Sequence, residues 1–534
     1  MKSSFFFTLL VLLVLSCKTN TTQKEKTENL FFSKIDVSKT KPTIENYTKK
    51  FKLNKDEFLN IHFSLEKPLI QSLKLLDSSL TSNELLEKGN FQFTFLVDGK
   101  IIYVENLNKG AGLKKSKTEQ LNHTIRLVAP KQLDYWGWFM WLKFMKLGGG
   151  QDALSEGNHL LTIEVRPYLK QNTIKTGDLL AKGSISIEVA EIPIDKNLIV
   201  LQKIQPNSGW EISKDRFDIN KIEALNRKIA ENRFANINGI IVVKDNKLLI
   251  EEYFNNETRD SLHDPRSVGK SIASTMLGIA IQENYIKNEH TFLKDYYNLK
   301  SFKNYSPKKD SVTLKSLLTM SSGFDGDDSD SSSLGNEENM YPTSDWVKFT
   351  LDLPMRKNAI IGEDFAYFTA GVVVLGDIIH KSVPEGLVSY ADKKLFAPLG
   401  INNYKWEYTP QGVGNTAGGI RLRALDFAKY GQLYKNKGLW NGKQILTKQW
   451  VEKSLGKQIK QPNGFYGYLF WNKTYELNGK KYEVSYCSGN GGNKIFIFKD
   501  IPFVIVITSS AYNAPDAHVN VDRMMLKYIL PAIL

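Results

Sequence analysis

A chain of 534 residues with 42% hydrophobic and 24% charged side chains holds enough material for two to four domains and a sizeable buried core, which excludes a disordered or fibrous protein. Its formal charge of +14 comes from lysines scattered along the whole sequence, with no basic block and no nucleic-acid motif. A solvated lysine-rich exterior accounts for the charge, and no nucleic-acid partner is expected.

The amino terminus reads as an export signal. Lys2 precedes the apolar run Phe5 to Leu15, which is too short to span a bilayer. The run ends in Val14-Leu15-Ser16-Cys17, which resembles the bacterial lipobox. That resemblance implies a signal peptide at 1–16, a lipid on Cys17, and a place in the bacterial cell envelope, on the periplasmic or outer-membrane face. A plain secretory signal with an incidental cysteine is the alternative. Residues 17–29 are polar and read as a flexible tether. The only other cysteine is Cys487, so the mature chain has no intrachain disulfide available.

From residue 30 to 200 the signals are mostly of strand type. Phe91, Phe93 and Phe95 alternate with polar residues, and Asp98-Gly99 turns the chain into Ile101 to Val104. Further alternating runs cover 123–128, 160–165 and 184–189. Short strands spaced by turns predict an all-β sandwich. Trp136, Trp138 and Trp141 lie close together before Gly148-Gly149-Gly150. They suit packing best, with a sugar-stacking platform or a membrane-proximal surface as alternatives.

Pro193, Pro206, Asn207 and Ser208 mark the segment Glu191 to Gly209 as connecting chain, with 201–215 as the linker and 216–534 as the second domain. Beyond it a helix is predicted over 221–232 and strands over 239–243 and 248–253, joined at Asp245-Asn246. Helical patterns follow at 270–280, 314–320, 344–351, 370–380, 387–396 and 425–434. The last third predicts strands over 466–471, 482–486, 494–499 and 503–508 and a final helix over 516–529. Strands at both ends of this domain must meet to close one antiparallel sheet flanked by helices. The loop Asp325 to Glu338 is rich in Asp, Ser and Glu; it lacks calcium-loop spacing and reads as an exposed acidic loop.

Arg266-Ser267-Val268-Gly269-Lys270-Ser271 stands at the start of the helix over 270–280, one face of which should be buried. Residues three apart share a helix face, which brings the Lys270 amine to the Ser267 hydroxyl. A serine needs a base to become a nucleophile, and a buried lysine can supply or tune one. Alone the spacing is weak, a serine cap and a solvated lysine being the plain alternative. Gly269-Lys270-Ser271 is not a phosphate loop, because Asp264 occupies the position of the required glycine. Seven histidines show no metal-ligand spacing, so neither a metal nor another cofactor is expected, and the absence of a G-x-S-x-G elbow argues against an α/β-hydrolase.

Five stretches in order carry a family resemblance from Ile222 onward. They are Arg266 to Ser271; Leu317-Leu318-Thr319-Met320-Ser321-Ser322-Gly323; Phe365-Ala366-Tyr367-Phe368-Thr369-Ala370-Gly371; Ala417-Gly418-Gly419-Ile420; and Ser488-Gly489-Asn490-Gly491-Gly492-Asn493. Together they are similar to the serine β-lactamase and penicillin-binding-protein superfamily, nearest its class C-like esterases, D-aminopeptidases and 6-aminohexanoate-dimer-type amide hydrolases. The resemblance implies an α/β β-lactamase/transpeptidase-like domain and an acyl-enzyme formed on Ser267. It makes Lys270 the residue that helps deprotonate the serine and Tyr367 its base partner. The oxyanion hole would be the N–H groups of Ser267 and Gly492, with Thr369, Gly489, Asn490 and Gly491 binding substrate. On position alone, Tyr367 equally suits a buried tyrosine bonded to a backbone carbonyl. Two departures stand out. Thr369 replaces the family's asparagine, and Gly489 stands where the family has lysine or histidine. Both fit an ester or amide hydrolase better than a penicillin- or wall-peptide-cleaving enzyme. The substrate expected is a small or peptide-like ester or amide, with glycan or envelope contact by the first domain. A binding or sensing protein on the same scaffold, or a D-Ala-peptidase or β-lactamase, are the alternatives.

Overall fold

The computed structural model describes residues 28–54, 56–130 and 136–534. The expected signal peptide, Cys17 and the tether up to Thr27 lie outside the described residues. The chain divides into two compact units, one ending at Ile192 and one running Pro193–Leu534.

The first unit holds two sheets. One orders its strands as Tyr47–Thr48, Leu30–Ser33, Leu59–Ser64 and Asn122–Val128. The other runs Lys50–Lys52, Ala181–Val189, Gly157–Lys170, Gly89–Val97 and Lys100–Asn106, with Ile174–Thr176 paired to its long central strand. Alternation places Phe93, Phe95, Ile163, Ile185 and Ile187 in one core with Phe32, Ile61 and Phe63 of the first sheet. Helices join the expected strands, at Leu69–Leu76, Ser82–Lys88, Lys114–Thr118, Trp136–Lys146 and Gly150–Ala153, so the region is β/α rather than purely β. The tryptophan-rich stretch is one of these helices. Its Met140, Trp141 and Phe144 are buried, and Phe144 stacks on Phe95 with centroids 4.7 Å apart. Trp136 and Phe139 stay about half exposed and line a cavity of about 450 Å³ with His123 and Glu105. Packing is thus the fate of Trp141 but not of Trp136.

The second unit is built on a nine-stranded sheet. Its order is Glu211–Ile212, Lys247–Tyr253, Ile237–Lys244, Phe503–Ser509, Asn493–Phe498, Lys480–Gly489, Trp471–Leu477, Gly464–Tyr466 and Ile459–Gln461. The early strand Ile237–Lys244 pairs antiparallel with the late strand Phe503–Ser509, the closure the sequence required. Asp245 and Asn246 both take positive φ, 48° and 64°, as a two-residue hairpin turn demands. Residues of alternate parity feed two cores. Ile241, Val243, Val504 and Val506 face the helices Lys270–Gln282, Thr369–Ser382 and Ala424–Lys435. Ile240, Val242, Ile505 and Ile507 face the helix Ile219–Ala230 and the carboxy-terminal helical segment from Ala517.

Two expectations are corrected here. The stretch 201–215 is packed onto this unit: Glu211–Ile212 adds a parallel strand beside Lys247–Tyr253, and the Gln202 N–H donates to Glu252 at 2.7 Å. The strand expected over 466–471 is broken between Tyr466 and Trp471. Leu469 takes φ +63°, its carbonyl accepts Ser271 Oγ at 2.7 Å and its N–H donates to Leu318, so the chain leaves the ladder to pack against the Ser267 segment.

Candidate active site

Ser267 lies in a short 3₁₀ turn, Arg266–Gly269, that runs into the helix Lys270–Gln282. In that tighter geometry residues three apart eclipse one another. The Lys270 amine accordingly donates to Ser267 Oγ at 2.7 Å. The helix is buried on every side from Lys270 to Ala280, more than the single apolar face expected, because helices and sheet enclose it. Lys270 is 1% exposed, and its amine also donates to the Ala417 carbonyl at 2.7 Å.

Arg266, just before the serine, has φ +52°, a backbone state that costs a non-glycine residue free energy. Its surroundings hold it there. The Arg266 N–H donates to Asp264 Oδ1 at 3.0 Å, the guanidinium pairs with Asp264 at 3.4 Å, and it lies 4.5 Å from the Tyr512 ring centroid. Tyr512 Oη in turn donates to the Asp264 carbonyl at 2.9 Å. Arg266 stands in the motif the sequence singled out, but neither its bracing by Asp264 nor the part of Tyr512 was legible there, since a positive φ at arginine has no compositional signal.

Two glycine segments flank the serine. A methyl group on Gly489 would stand 1.8 Å from the Pro265 carbonyl and 3.2 Å from the Ser267 nitrogen. One on Gly418 would stand 2.7 Å from the Arg266 carbonyl and 3.2 Å from the same nitrogen. Only backbone fits on either side. Pairing of Lys480–Gly489 with Trp471–Leu477 ends at Tyr486 opposite Trp471, so the last residues of the strand carry an open edge beside Ser267. Asn490, the next residue, lines the Ser267 cavity. Backbone hydrogen bonding among the described residues engages neither the Ser267 nor the Asn490 N–H. Gly492 sits elsewhere. Its Cα faces Ala517 and Val521 of the carboxy-terminal helix, because the turn Asn490–Gly492 carries the chain away from the serine. Gly491 likewise backs onto Tyr512. Of the glycines expected to serve substrate, Gly489 is the one brought to Ser267.

Tyr367 reaches the pair through its ring: the Lys270 amine is 5.3 Å from the ring centroid, and Trp471 stacks on the ring at 5.6 Å. No hydrogen bond joins the Tyr367 hydroxyl to Ser267 or Lys270, nor to a backbone carbonyl, among the described residues. Thr369 is fully buried and its Oγ1 has no partner, so it does not orient the lysine; the Ala417 carbonyl does. The Thr369 N–H instead donates to Asp328 Oδ2 at 2.8 Å. Asp328 comes from the loop read as exposed and acidic. It folds inward: its N–H donates to the Tyr367 carbonyl at 2.8 Å and its Oδ1 accepts the Glu337 N–H at 2.9 Å. Burial pushes the Asp328 carboxyl above its ordinary value, opposed by the Thr369 bond and by the charge of Lys270. Gly326, packed against Phe368, and Gly335, packed against Leu353, let the loop close in. Those glycines were the available signal.

The half-buried Ser267 and the buried Lys270 thus lie beneath an open strand edge, on an antiparallel sheet flanked by helices. The family model described as Beta-lactamase matches residues 227–528, more than half of the chain, and the chain belongs to that family. It is a serine hydrolase of the β-lactamase-like superfamily, with that superfamily's general esterase and amidase chemistry. Among solved structures, a Bacillus anthracis protein provisionally named a 6-aminohexanoate-dimer hydrolase is 21% identical, with TM-score 0.46 and coverage of 55% of this chain and 79% of its own. The octameric penicillin-binding protein homologue of Pyrococcus abyssi is 22% identical, with TM-score 0.45 and coverage of 57% and 76%. A family VIII carboxylesterase is 14% identical, with TM-score 0.45 and coverage of 60% and 98%. No curated protein matches the chain.

Proposed function

We propose that the protein cleaves an ester or amide through an acyl-enzyme on Ser267. The observation that carries this reading is the 2.7 Å contact between the buried Lys270 amine and Ser267 Oγ. Lys270 in its neutral form takes the hydroxyl proton as Oγ attacks the substrate carbonyl. The Ser267 and Asn490 N–H groups bind the oxyanion, and collapse expels an alcohol or amine that recovers the proton from Lys270. Tyr367 is the second proton carrier: its ring lies against the amine, and its hydroxyl serves the leaving group once substrate draws it in. Water then releases the acid by the reverse sequence. Gly489 and Asn490 offer the substrate a backbone edge.

Gly489 brings no cation to a substrate carboxylate, which favours esters and simple amides over penicillins and wall peptides. A lipid on Cys17 would hold the enzyme at the bacterial envelope, where the first unit would meet a glycan or another envelope surface through the cavity at Trp136.

The test is turnover of p-nitrophenyl esters, anilides and nitrocefin by the wild-type protein and Ser267→Ala. Ester or anilide hydrolysis lost in the variant supports the reading. Absence of any Ser267-dependent turnover or fluorophosphonate labelling would assign the scaffold to binding alone. Acylation by a penicillin without ester turnover would move it to the wall-peptide class.

A further inference from the structure

Asn490 stands at the point where the sheet runs out. Pairing of Lys480–Gly489 with Asn493–Phe498 ends at Gly489 opposite Asn493, and pairing on its other side has already stopped at Tyr486. The next two residues, Gly491 and Gly492, both take positive φ, 86° and 88°. Two adjacent glycines give a turn little stiffness of its own, because glycine has the widest conformational freedom of any residue. An oxyanion donor, by contrast, is effective when its N–H is fixed before the charge develops.

Side chains supply the restraint. Asn493 is 1% exposed, and both hydrogens of its amide are used: Nδ2 donates to the Asn490 carbonyl at 2.9 Å and to the Ser509 carbonyl at 2.9 Å. Its Oδ1 accepts the Ser509 N–H at 2.9 Å. The Asn493 amide therefore ties the end of the strand Phe503–Ser509 to the Asn490 turn, with its donors and acceptor all engaged. From the other side, Asn490 Oδ1 accepts the Asn513 N–H at 2.8 Å, and Asn490 Nδ2 donates to Asn513 Oδ1 at 2.6 Å. Asn513 takes φ +60°, a state asparagine tolerates better than most residues. Asn490 is thus held by its carbonyl and by both ends of its side-chain amide.

We propose that Asn493 and Asn513 are positioning residues for hydrolysis: they fix the Asn490 peptide so that its N–H meets the oxyanion formed at Ser267. This rests on the hydrolase reading above for the reaction, and assigns what holds its second oxyanion donor in place. Three asparagines from separate turns and strands do here what a continued ladder would do for a donor inside the sheet.

Exhaustive fluorophosphonate labelling counts the competent sites, and every rate is expressed per site, so a loss of folded protein lowers the count and leaves the rate alone. With p-nitrophenyl acetate, Asn493→Ala should lower kcat and kcat/KM together by about 10²-fold at an unchanged KM, the pattern of an interaction made only in the transition state. Asn513→Gly removes one acceptor, keeps the N–H that Asn490 Oδ1 accepts and suits the positive φ, so it should lower both by about tenfold. Phenyl trifluoromethyl ketone gives the second readout. Ser267 Oγ bonds to its carbonyl carbon, the hydroxyl proton passes to Lys270, and the carbonyl oxygen becomes an anion facing the Ser267 and Asn490 N–H groups. Its dissociation constant should rise by the same factors as kcat/KM falls. Fewer competent sites, with kcat/KM and ketone affinity per site within about threefold of wild type, would leave both asparagines a structural role and overturn the assignment. If Asn493→Ala does not fold, Asn513→Gly decides alone, and values within about twofold of wild type overturn it. A wild-type protein with neither Ser267-dependent turnover nor ketone binding removes the hydrolase reading and this assignment with it. Wild-type turnover that the variants leave unchanged removes this assignment only.

Discussion

Gly489→Ala asks most sharply whether the strand end and the Ser267 turn are one mechanical unit. The backbone at Gly489 is extended, φ −134° and ψ 155°, so alanine adopts it without strain. Judged by conformational entropy alone, alanine would stabilise the fold by about 0.4–1 kcal/mol. The contact argues the opposite. The added methyl would stand 1.8 Å from the Pro265 carbonyl, where ordinary contact begins at 3.4 Å, and that oxygen is backbone. Strand and turn must part by roughly 1.5 Å, an overpacking that costs about 1–3 kcal/mol. The same shift moves the Asn490 N–H away from the Ser267 N–H, and a displacement of about 1 Å lowers turnover about 10²-fold. Steady-state hydrolysis of p-nitrophenyl acetate and a thermal melt read both effects on one sample. Full activity with an equal or higher Tm in the variant would refute the contact and the oxyanion assignment built on it.

Lys270→Met keeps most of the buried stem and removes the amine; the rate of fluorophosphonate labelling at Ser267 should fall about 10³-fold, and a loss under tenfold would take the base role from Lys270. Thr369→Val replaces a buried, unpartnered hydroxyl by a methyl, so chemical denaturation should show equal or higher stability, by up to about 1 kcal/mol, and ester turnover should change less than about threefold. A greater loss of turnover would show that substrate binds the hydroxyl. Burial pushes the Glu252 carboxyl up to about 7 from 4.5. A raised folded-state pKa gives stability that is present below the unfolded value and lost as pH rises through the folded one. Wild-type stability should therefore decline between about pH 5 and pH 8, by up to about 3 kcal/mol. Glu252→Gln should flatten that slope. The unpartnered Asn226 Oδ1 can accept from the new amide, and an unchanged slope in urea titrations would exclude Glu252 as its source.

What the sequence revealed and what it hid follow from how each feature is encoded. Hydrophobic alternation in 237–253 and 480–509 writes out the sheet, and Asp245-Asn246 writes out its turn, because both depend on residues adjacent in the chain. The Ser267–Lys270 contact is legible for the same reason: it spans three residues. Asp328 was hidden because a run of Asp, Ser and Gly looks solvated, and only its bonds to Tyr367, Thr369 and Glu337 reveal an inward fold. Gly492 and Gly489 are indistinguishable as letters; which of them meets Ser267 is decided by where the strand ends and the turn begins. The orientation of Tyr367 is set by Trp471 on a strand far along the chain, which no local pattern carries. In the first unit, the helix Trp136–Lys146 lies inside a β-rich sequence, and its aromatic residues mask the helical period.

The central claim is that a covalent acyl group passes through Ser267. Rapid acid quenching of the wild-type protein during p-nitrophenyl acetate turnover, followed by peptide mass mapping, measures it directly. The acetyl group should be found on the peptide containing Ser267, at Ser267 itself, and should be absent from Ser267→Ala. Steady turnover with no acetylated peptide, or with the label on Ser271 or another residue, would contradict the account.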